Sequence, residues 1–363
     1  MGERASFRSP LPTYHRHMFW VYEMNELLTS LSASLDTNVS SSRTSNDDHQ
    51  NVYNFILSKL PQVGEPLSLA AAHHFENPGK MLRAKMVVRG AHLLSVDNNA
   101  AIRWAAAVEL LHNASLVHDD ICDGDKLRRG QQAVWAKFGR NVALTLGDWL
   151  ISLSFELASE ASQISRTPKL VTLLARHMAT TTAGEAMEFE FDRNYDWDTY
   201  LKIAADKTAP LLTAPLQGVA IMALDVRAEI VVAAYFRYLG KAYQIANDIM
   251  NFDGNDGAKS VGSDLGRRAP NAVTLSFRDC LSATEQANFD AWYEAGDNAA
   301  FMDWQSAISE SDAAEHAGRY MMSILDDAET KADSLSAEIY EVITPVHALV
   351  KRVCLNSVKH LKV

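Results

Sequence analysis

Residues Ala100–Gly130 read AAIRWAAAVELLHNASLVHDDICDGDKLRRG. The first part, Ala100–His118, is apolar along most of its faces, through Ile102, Trp104, Ala105, Ala106, Val108, Leu110 and Leu111. A helix apolar nearly all round must be covered all round, so it belongs in the middle of a bundle. It runs into Asp119, Asp120 and Asp123, and then into Arg128 and Arg129 before a glycine. Asp119 and Asp123 are four residues apart, which on a helix stacks two carboxylates on one face, a turn from each other. Acidic runs are usually solvated faces. Here Leu110, Leu111, Leu116 and Val117 lie directly upstream, and acids at the end of a buried helix are costly without a counterion. Mg²⁺ suits the position: it takes hard oxygen ligands, binds through one or two carboxylates and shares its other places with water and substrate phosphates. The arginines beyond can clamp a polyanion through paired hydrogen bonds. A metal-bridged diphosphate at the end of a buried helix is the first expectation.

Outward from this stretch the same texture continues. Val52–Leu60 stops at Pro61, Pro66–Phe75 is short and alanine-rich, and Lys80–Leu94 follows Asn77-Pro78-Gly79. Ala133–Ala158 and Leu170–Phe191 again read as long apolar helices. Period-two alternation and Asn-Gly hairpins are absent, so the pattern predicts an all-α domain of roughly ten or more helices over residues 51–363. Residues 1–50 read as an N-terminal extension and linker: an aromatic-rich helix over Tyr14–Leu31, then the polar, serine-rich Asp36–Asn51. After Cys280 the chain reads as helical, with Trp292, Trp304, Tyr320, Met321 and Leu325 as packing residues.

The net charge of −11 over 363 residues argues against nucleic acid as a partner. Cys122, Cys280 and Cys354 are far apart and odd in number, which fits a reducing, cytoplasmic setting. No apolar run is long enough for a transmembrane segment, and MGERASFRSP lacks the apolar centre of a secretory signal. Gly2 and Ser6 match the myristoylation pattern only loosely.

A second stretch, Leu239–Gly266, repeats the design: LGKAYQIANDIMNFDGNDGAKSVGSDLG. Asn247, Asp248 and Asn251 interrupt an apolar helix at i, i+1 and i+4, the geometry of the first acids. Facing each other across a cavity, the two helices would form two walls of a multi-metal diphosphate site. Taken alone, the asparagines read equally well as buried amides satisfied by backbone. Lys80 and Arg83 are three apart on one helix face, and His112 is two turns before Asp119. Lys207-Thr208 opens an apolar run, and Lys259 sits in a glycine-rich loop.

Several of these motifs, in order, resemble the trans-isoprenyl diphosphate synthases, the polyprenyl synthetase family that makes farnesyl and geranylgeranyl diphosphates. PGKMLRA (78–84) is similar to GGKRxRP, HNASLVHDDICDGDKLRRG (112–130) to HxxSLIHDDxxDxxxxRRG, and YQIANDIMN (243–251) to FQxxDDxxD. LTLGDWLI (144–151), KTA (207–209) and AKSVGSDLG (258–266) add to the likeness. The resemblance implies an isoprenoid-synthase-type bundle around a deep central cavity, working as a homodimer. It implies head-to-tail condensation of isopentenyl diphosphate with an allylic prenyl diphosphate. Asp119, Asp120, Asp123, Lys207 and Asp248 would be the catalytic set. Three Mg²⁺ ions would be held by Asp119 and Asp123 at the first pole and by Asn247, Asp248 and Asn251 at the second. Arg128 and Lys207, with Thr208, Gln244 and Lys259 nearby, would grip the allylic diphosphate. Lys80, Arg83, His112 and Arg129 would form the metal-free pocket for isopentenyl diphosphate.

The departures have consequences. Met81 and Ala84 replace an arginine and a proline of the first motif, and Glu185 stands where a glutamine often follows glycine. Asn247 replaces a metal-binding carboxylate, so the third metal site should be weakened. Three alternatives stay open. One is a class I terpene cyclase, for which Asn247, Asn251 and Asn255 have the spacing but lack the hydroxyl and the glutamate. Another is a prenyl transferase with a different acceptor, such as an aromatic one. The last is a regulatory subunit of a heteromeric synthase, whose expected mark, a lost first acidic motif, is missing. Ala114 and Ser115 are small where short-chain members often carry aromatics, which favours geranylgeranyl diphosphate or a longer product.

Overall fold

The computed structural model describes residues 45–190, 195–253, 262–296 and 299–361. The Tyr14–Leu31 segment, most of the polar linker, Asn255 and Lys259 lie outside the described residues.

The described residues form fifteen helices and one two-stranded hairpin. The first are α1 (Ser45–Lys59), α2 (Ser68–Phe75), α3 (Leu82–Leu93) and α4 (Asn98–Cys122). The hairpin pairs β1 (Leu127–Arg128) antiparallel with β2 (Gln131–Gln132). Next come α5 (Val134–Phe138), α6 (Arg140–Ser165), α7 (Lys169–Glu190), α8 (Trp197–Met222) and α9 (Val226–Asp253). The chain closes with α10 (Ser263–Arg267), α11 (Ala272–Cys280), α12 (Ala283–Ala295), α13 (Phe301–Glu310), α14 (Ala313–Ala332) and α15 (Ala337–Ser357). The all-α reading of the sequence holds.

Local chemistry sets the boundaries. Asp97 accepts the Ala100 N–H at 3.0 Å and starts α4; Asp196 does the same for α8 through Thr199 at 2.9 Å. Such caps satisfy orphan amides of a first helical turn. Ser282 and Glu285 close a capping box on α12. Two boundaries differ from the sequence reading. Ala133–Ala158, read as one helix, breaks at Gly139 into α5 and α6, because Gly139 takes φ 91° and ψ 155°. Glycine alone adopts that conformation readily. The polar linker gives up its end to α1, which starts at Ser45 and therefore crosses residue 50. Val52, Ile56 and Leu60, spaced by four, are buried and hold that helix on the body; once anchored, a helix extends cheaply through polar residues.

Among the described residues the interior has two apolar clusters. One joins α1–α4 to α6 and α7, with Trp104, Leu110, Leu146, Leu150 and Leu170 at its centre. The other joins α9, α11, α14 and α15, with Tyr235, Phe236, Leu239 and Met321. Side chains of α8 enter both, Val219 the first and Leu216 and Ala220 the second. That helix is the shared wall, and the polar residues described next gather along its first half and at the ends of α4 and α9.

Candidate active site

The first acidic cluster forms at the C-terminus of α4. Asp123 is the capping residue, still right-handed helical (φ −79°, ψ −13°), and its N–H donates to the Asp119 carbonyl at 2.8 Å. It therefore stays one turn above Asp119, as the spacing predicts. Asp120 turns away and is buried; its Oδ1 accepts from Arg128 Nε at 2.9 Å and from an Nη of the same guanidinium. Arg128 on β1 is thus tied to α4. Burial, the Glu185 charge and Asp123 push the Asp119 carboxyl up to about 7, against the opposing pull of Lys207 and Arg128. A carboxylate raised in that way is held ready for an added cation.

Lys207 is brought to this cluster by a close contact between α7 and α8. A Cβ on Gly184 would fall 2.5 Å from the Lys207 backbone nitrogen, so only glycine lets the two helices approach there. The Lys207 ammonium bonds Glu188 at 2.7 Å and Glu185 at 3.0 Å. Burial works to lower its pKa, yet these two carboxylates outweigh burial and raise it. The other Glu185 oxygen, Oε1, is buried with no hydrogen-bond partner. Sequence reading placed Lys207 but assigned no role to Glu185 and none at all to Glu188. The available signal was a pair of acids three apart in GEAMEF (184–189), just after a glycine.

At the second pole the side chains divide their tasks. Asp248 is buried; it accepts from Tyr200 Oη at 2.6 Å, Gln244 Nε2 at 3.0 Å and the Ala272 N–H at 2.8 Å. Burial and the neighbouring Asp264 push its carboxyl up to about 8. Gln244 also meets the Thr208 hydroxyl at 3.4 Å, which joins α8 to α9. Asn251 donates to Ser263 Oγ at 2.8 Å and accepts the Asp264 N–H at 3.3 Å, so its amide holds α10 against α9. Where the sequence predicted three metal ligands, the structure gives Asp248 and Asn251 structural bonds. Asn247 is half-buried beside Tyr243, with which it shares a hydrogen bond. Asp264 and Arg267, which the sequence reading did not single out, complete this side. Arg267 spans the gap, bonding Asp123 and Asp264 at 2.8 Å each. The end of α4 is thus tied through Arg267 to α10, which Asn251 holds on the end of α9.

A second group of charged residues lies further along α4, around His112, two turns before Asp119 on the same face. Arg129 Nη1 donates to the Asn77 carbonyl at 2.8 Å, and its guanidinium lies against Gly79. Arg129 itself takes φ 52°, a left-handed conformation costing about 1 kcal/mol or more in a non-glycine residue. The N-terminus of α3 has no side-chain cap of its own. Glu109, buried in α4, supplies one, accepting the Ala84 N–H at 2.9 Å. This sets Arg83 beside His112 of α4, with Lys80 three residues earlier in the chain. Burial, Arg83, Arg129, Arg128 and His74 hold the His112 imidazole well below its usual pKa. Burial and Lys85 bring the Lys80 ammonium down to about 8. Arg83 and Arg129 thus bear on His112, and Glu109 is the acid that fixes the helix end next to Lys80.

Among the described residues no three Asp, Glu, His or Cys side chains converge closely enough to hold a metal ion unaided. That donor set fits Mg²⁺, which completes its shell with water and substrate phosphate. The unpartnered Glu185 Oε1 beside Lys207 and Asp119 also fits a cation nearby.

Oxygen-rich helix ends joined through α10 over an apolar bundle, with guanidinium groups alongside, make an all-α protein suited to an anionic ligand. The sequence profile of the family described as Polyprenyl synthetase matches residues 65–310. The geranylgeranyl diphosphate synthase of Saccharolobus solfataricus is 32% identical over 245 residues, covering 64% of this chain and 71% of that protein. The (2E,6E)-farnesyl diphosphate synthase of Mycobacterium tuberculosis is also 32% identical over 245 residues, covering 64% of this chain and 67% of its own length. A crystal structure of polyprenyl synthase from Caulobacter crescentus, complexed with calcium and isoprenyl diphosphate, superposes with a TM-score of 0.71 at 27% identity, over 85% of this chain and 95% of that one. The chain belongs to the polyprenyl synthetase family, and so to the trans-prenyltransferases.

Proposed function

We propose that the protein condenses isopentenyl diphosphate head-to-tail with an allylic prenyl diphosphate in a Mg²⁺-dependent reaction. The product would be geranylgeranyl diphosphate or a longer chain. The observation that carries this reading is the pairing of two different sites along α4. One, around Asp119 and Asp123, is rich in carboxylates; the other presents the cations Lys80, Arg83 and Arg129 beside a neutral His112. A diphosphate that must leave needs strong charge neutralisation, whereas one that must only be held needs cations alone.

Asp119 and Asp123 would hold the metal, with Asn247 a weaker donor opposite. Bound Mg²⁺ neutralises charge developing on the leaving diphosphate. Lys207, kept protonated by Glu185 and Glu188, adds a fixed positive charge at the same point, and Arg128, braced by Asp120, adds another. Ionisation leaves an allylic carbocation, which the isopentenyl double bond attacks. The proton lost afterwards passes to the departed diphosphate, so no side-chain base is required. Ser115 and Leu111 continue the Asp119 face of α4 towards the interior, and apolar walls there keep water from the cation.

A cyclase would leave the Lys80–Arg129 pocket without a task. A subunit role is favoured by one observation: component 2 of the heptaprenyl diphosphate synthase of Geobacillus stearothermophilus is 32% identical over 231 residues. We place the catalytic domain from the start of α1 at Ser45 onward, the extension before it, and the protein in the cytoplasm. The deciding experiment supplies isopentenyl diphosphate, Mg²⁺ and geranyl, farnesyl or geranylgeranyl diphosphate. Linear prenyl diphosphates are expected, and Asp119→Ala should abolish them. Cyclic hydrocarbon without isopentenyl diphosphate, or turnover only after another acceptor or another subunit is added, would overturn the proposal.

A further inference from the structure

Pro215 lies inside α8. Proline has no N–H, so the carbonyl four residues earlier in a helix loses its donor. That carbonyl belongs to Leu211, and it accepts a different hydrogen bond: Arg83 Nε, from α3, donates to it at 2.8 Å. Arg83 is half-buried, and it feels the carboxylate of Glu109, which is engaged in capping α3, and the like charge of Arg129. A guanidinium partly withdrawn from water is costly to leave without an acceptor. With Nε fixed on Leu211, the side chain is held in one orientation and the terminal nitrogens are left for an anion.

We propose that Pro215 is a positioning residue for isopentenyl diphosphate binding. By opening the α8 ladder, it turns the Leu211 carbonyl into a bracket for Arg83. The inference rests on the assignment of Arg83 to the isopentenyl diphosphate pocket. In Pro215→Ala the new N–H draws the Leu211 carbonyl back towards the helix axis and shares it. Arg83 then samples other rotamers, and the ligand must reorder it on binding. Loss of a hydrogen bond to a charged group corresponds to about a tenfold change in an equilibrium constant.

The test is a double-mutant cycle on the full chain, measuring both KM values, kcat and Tm for wild type, Arg83→Gln, Pro215→Ala and the double variant. Alanine is the better helix residue, so Pro215→Ala should keep or raise Tm. The expected result is a KM for isopentenyl diphosphate raised about tenfold or more by Arg83→Gln and about three- to tenfold by Pro215→Ala. In Pro215→Ala, kcat and the allylic KM should stay within about twofold, and the double variant should match Arg83→Gln alone. An unchanged KM in Arg83→Gln removes the pocket assignment itself. If Arg83→Gln raises KM while Pro215→Ala does not, only the role of Pro215 fails. It fails equally if the Pro215→Ala effect persists in full when Arg83 is already absent.

Discussion

Single side chains here were legible from sequence where their chemistry is local. Asp119 and Asp123 meet because four residues make a turn, and Lys80 and Arg83 share a face for a similar reason. Lys80 gives a direct test. Its ammonium titrates near 8 because burial and Lys85 disfavour the charged form. Below that pH it is protonated and can hold diphosphate; above it the charge is lost. In the free enzyme, kcat/KM for isopentenyl diphosphate should therefore fall as pH rises through about 8. Lys80→Arg, charged throughout, should keep a flat profile to higher pH, and Lys80→Gln should be low across the range. A wild-type profile that stays flat through pH 9 would remove Lys80 from the pocket. Glu109, Glu188 and Arg267 were not legible. Each acts through a partner far along the chain: Glu109 through the α3 terminus, Glu188 through Lys207, Arg267 through Asp123. No local pattern announces such a partner.

At the level of elements, the helical texture was plain, and breaks in it were the difficult part. The split at Gly139 lies within an apolar run, and only the backbone of one glycine reveals it. Conversely α8 continues through Pro210 and Pro215, because packing from α7, α9 and α3 holds it together. The contact between α7 and α8 is the structural condition for Lys207 to reach the first pole. Gly184→Ala places a methyl 2.5 Å from the Lys207 nitrogen and 2.7 Å from the Asp206 carbonyl carbon, and backbone cannot step aside as a side chain can. The variant should lose about 1–3 kcal/mol of stability, typical of overpacking. It should also raise the allylic KM several-fold by shifting Lys207. Thermal unfolding and steady-state kinetics check both, with Thr182→Ala, on the exposed side of α7, as the control. An unaltered allylic KM would mean that the helix spacing does not position Lys207 for substrate.

For the molecule as a whole, the question is what covers α6. Its most apolar eighteen-residue window is only 44% buried within one chain. Leu144 is 42% exposed, and Ile151, seven residues on and on the same face, is half-buried. A membrane is a poor cover for it: the same helix carries Asp148, Glu156 and Glu160, and charges at that depth are costly in lipid. A second copy of the chain suits it better, since an apolar helix of each subunit can cover the other. Sedimentation equilibrium at micromolar concentration should therefore return twice the chain mass. Leu144→Glu with Ile151→Glu should shift the equilibrium to single chains and reduce kcat, because the α4 helix that carries Asp119 packs directly on α6. The outcome also separates the two catalytic readings. A dimer active alone is a self-sufficient synthase. A single chain that is inactive until another protein joins it would place α6 at a heteromeric interface and make this the subunit that carries the acidic motif.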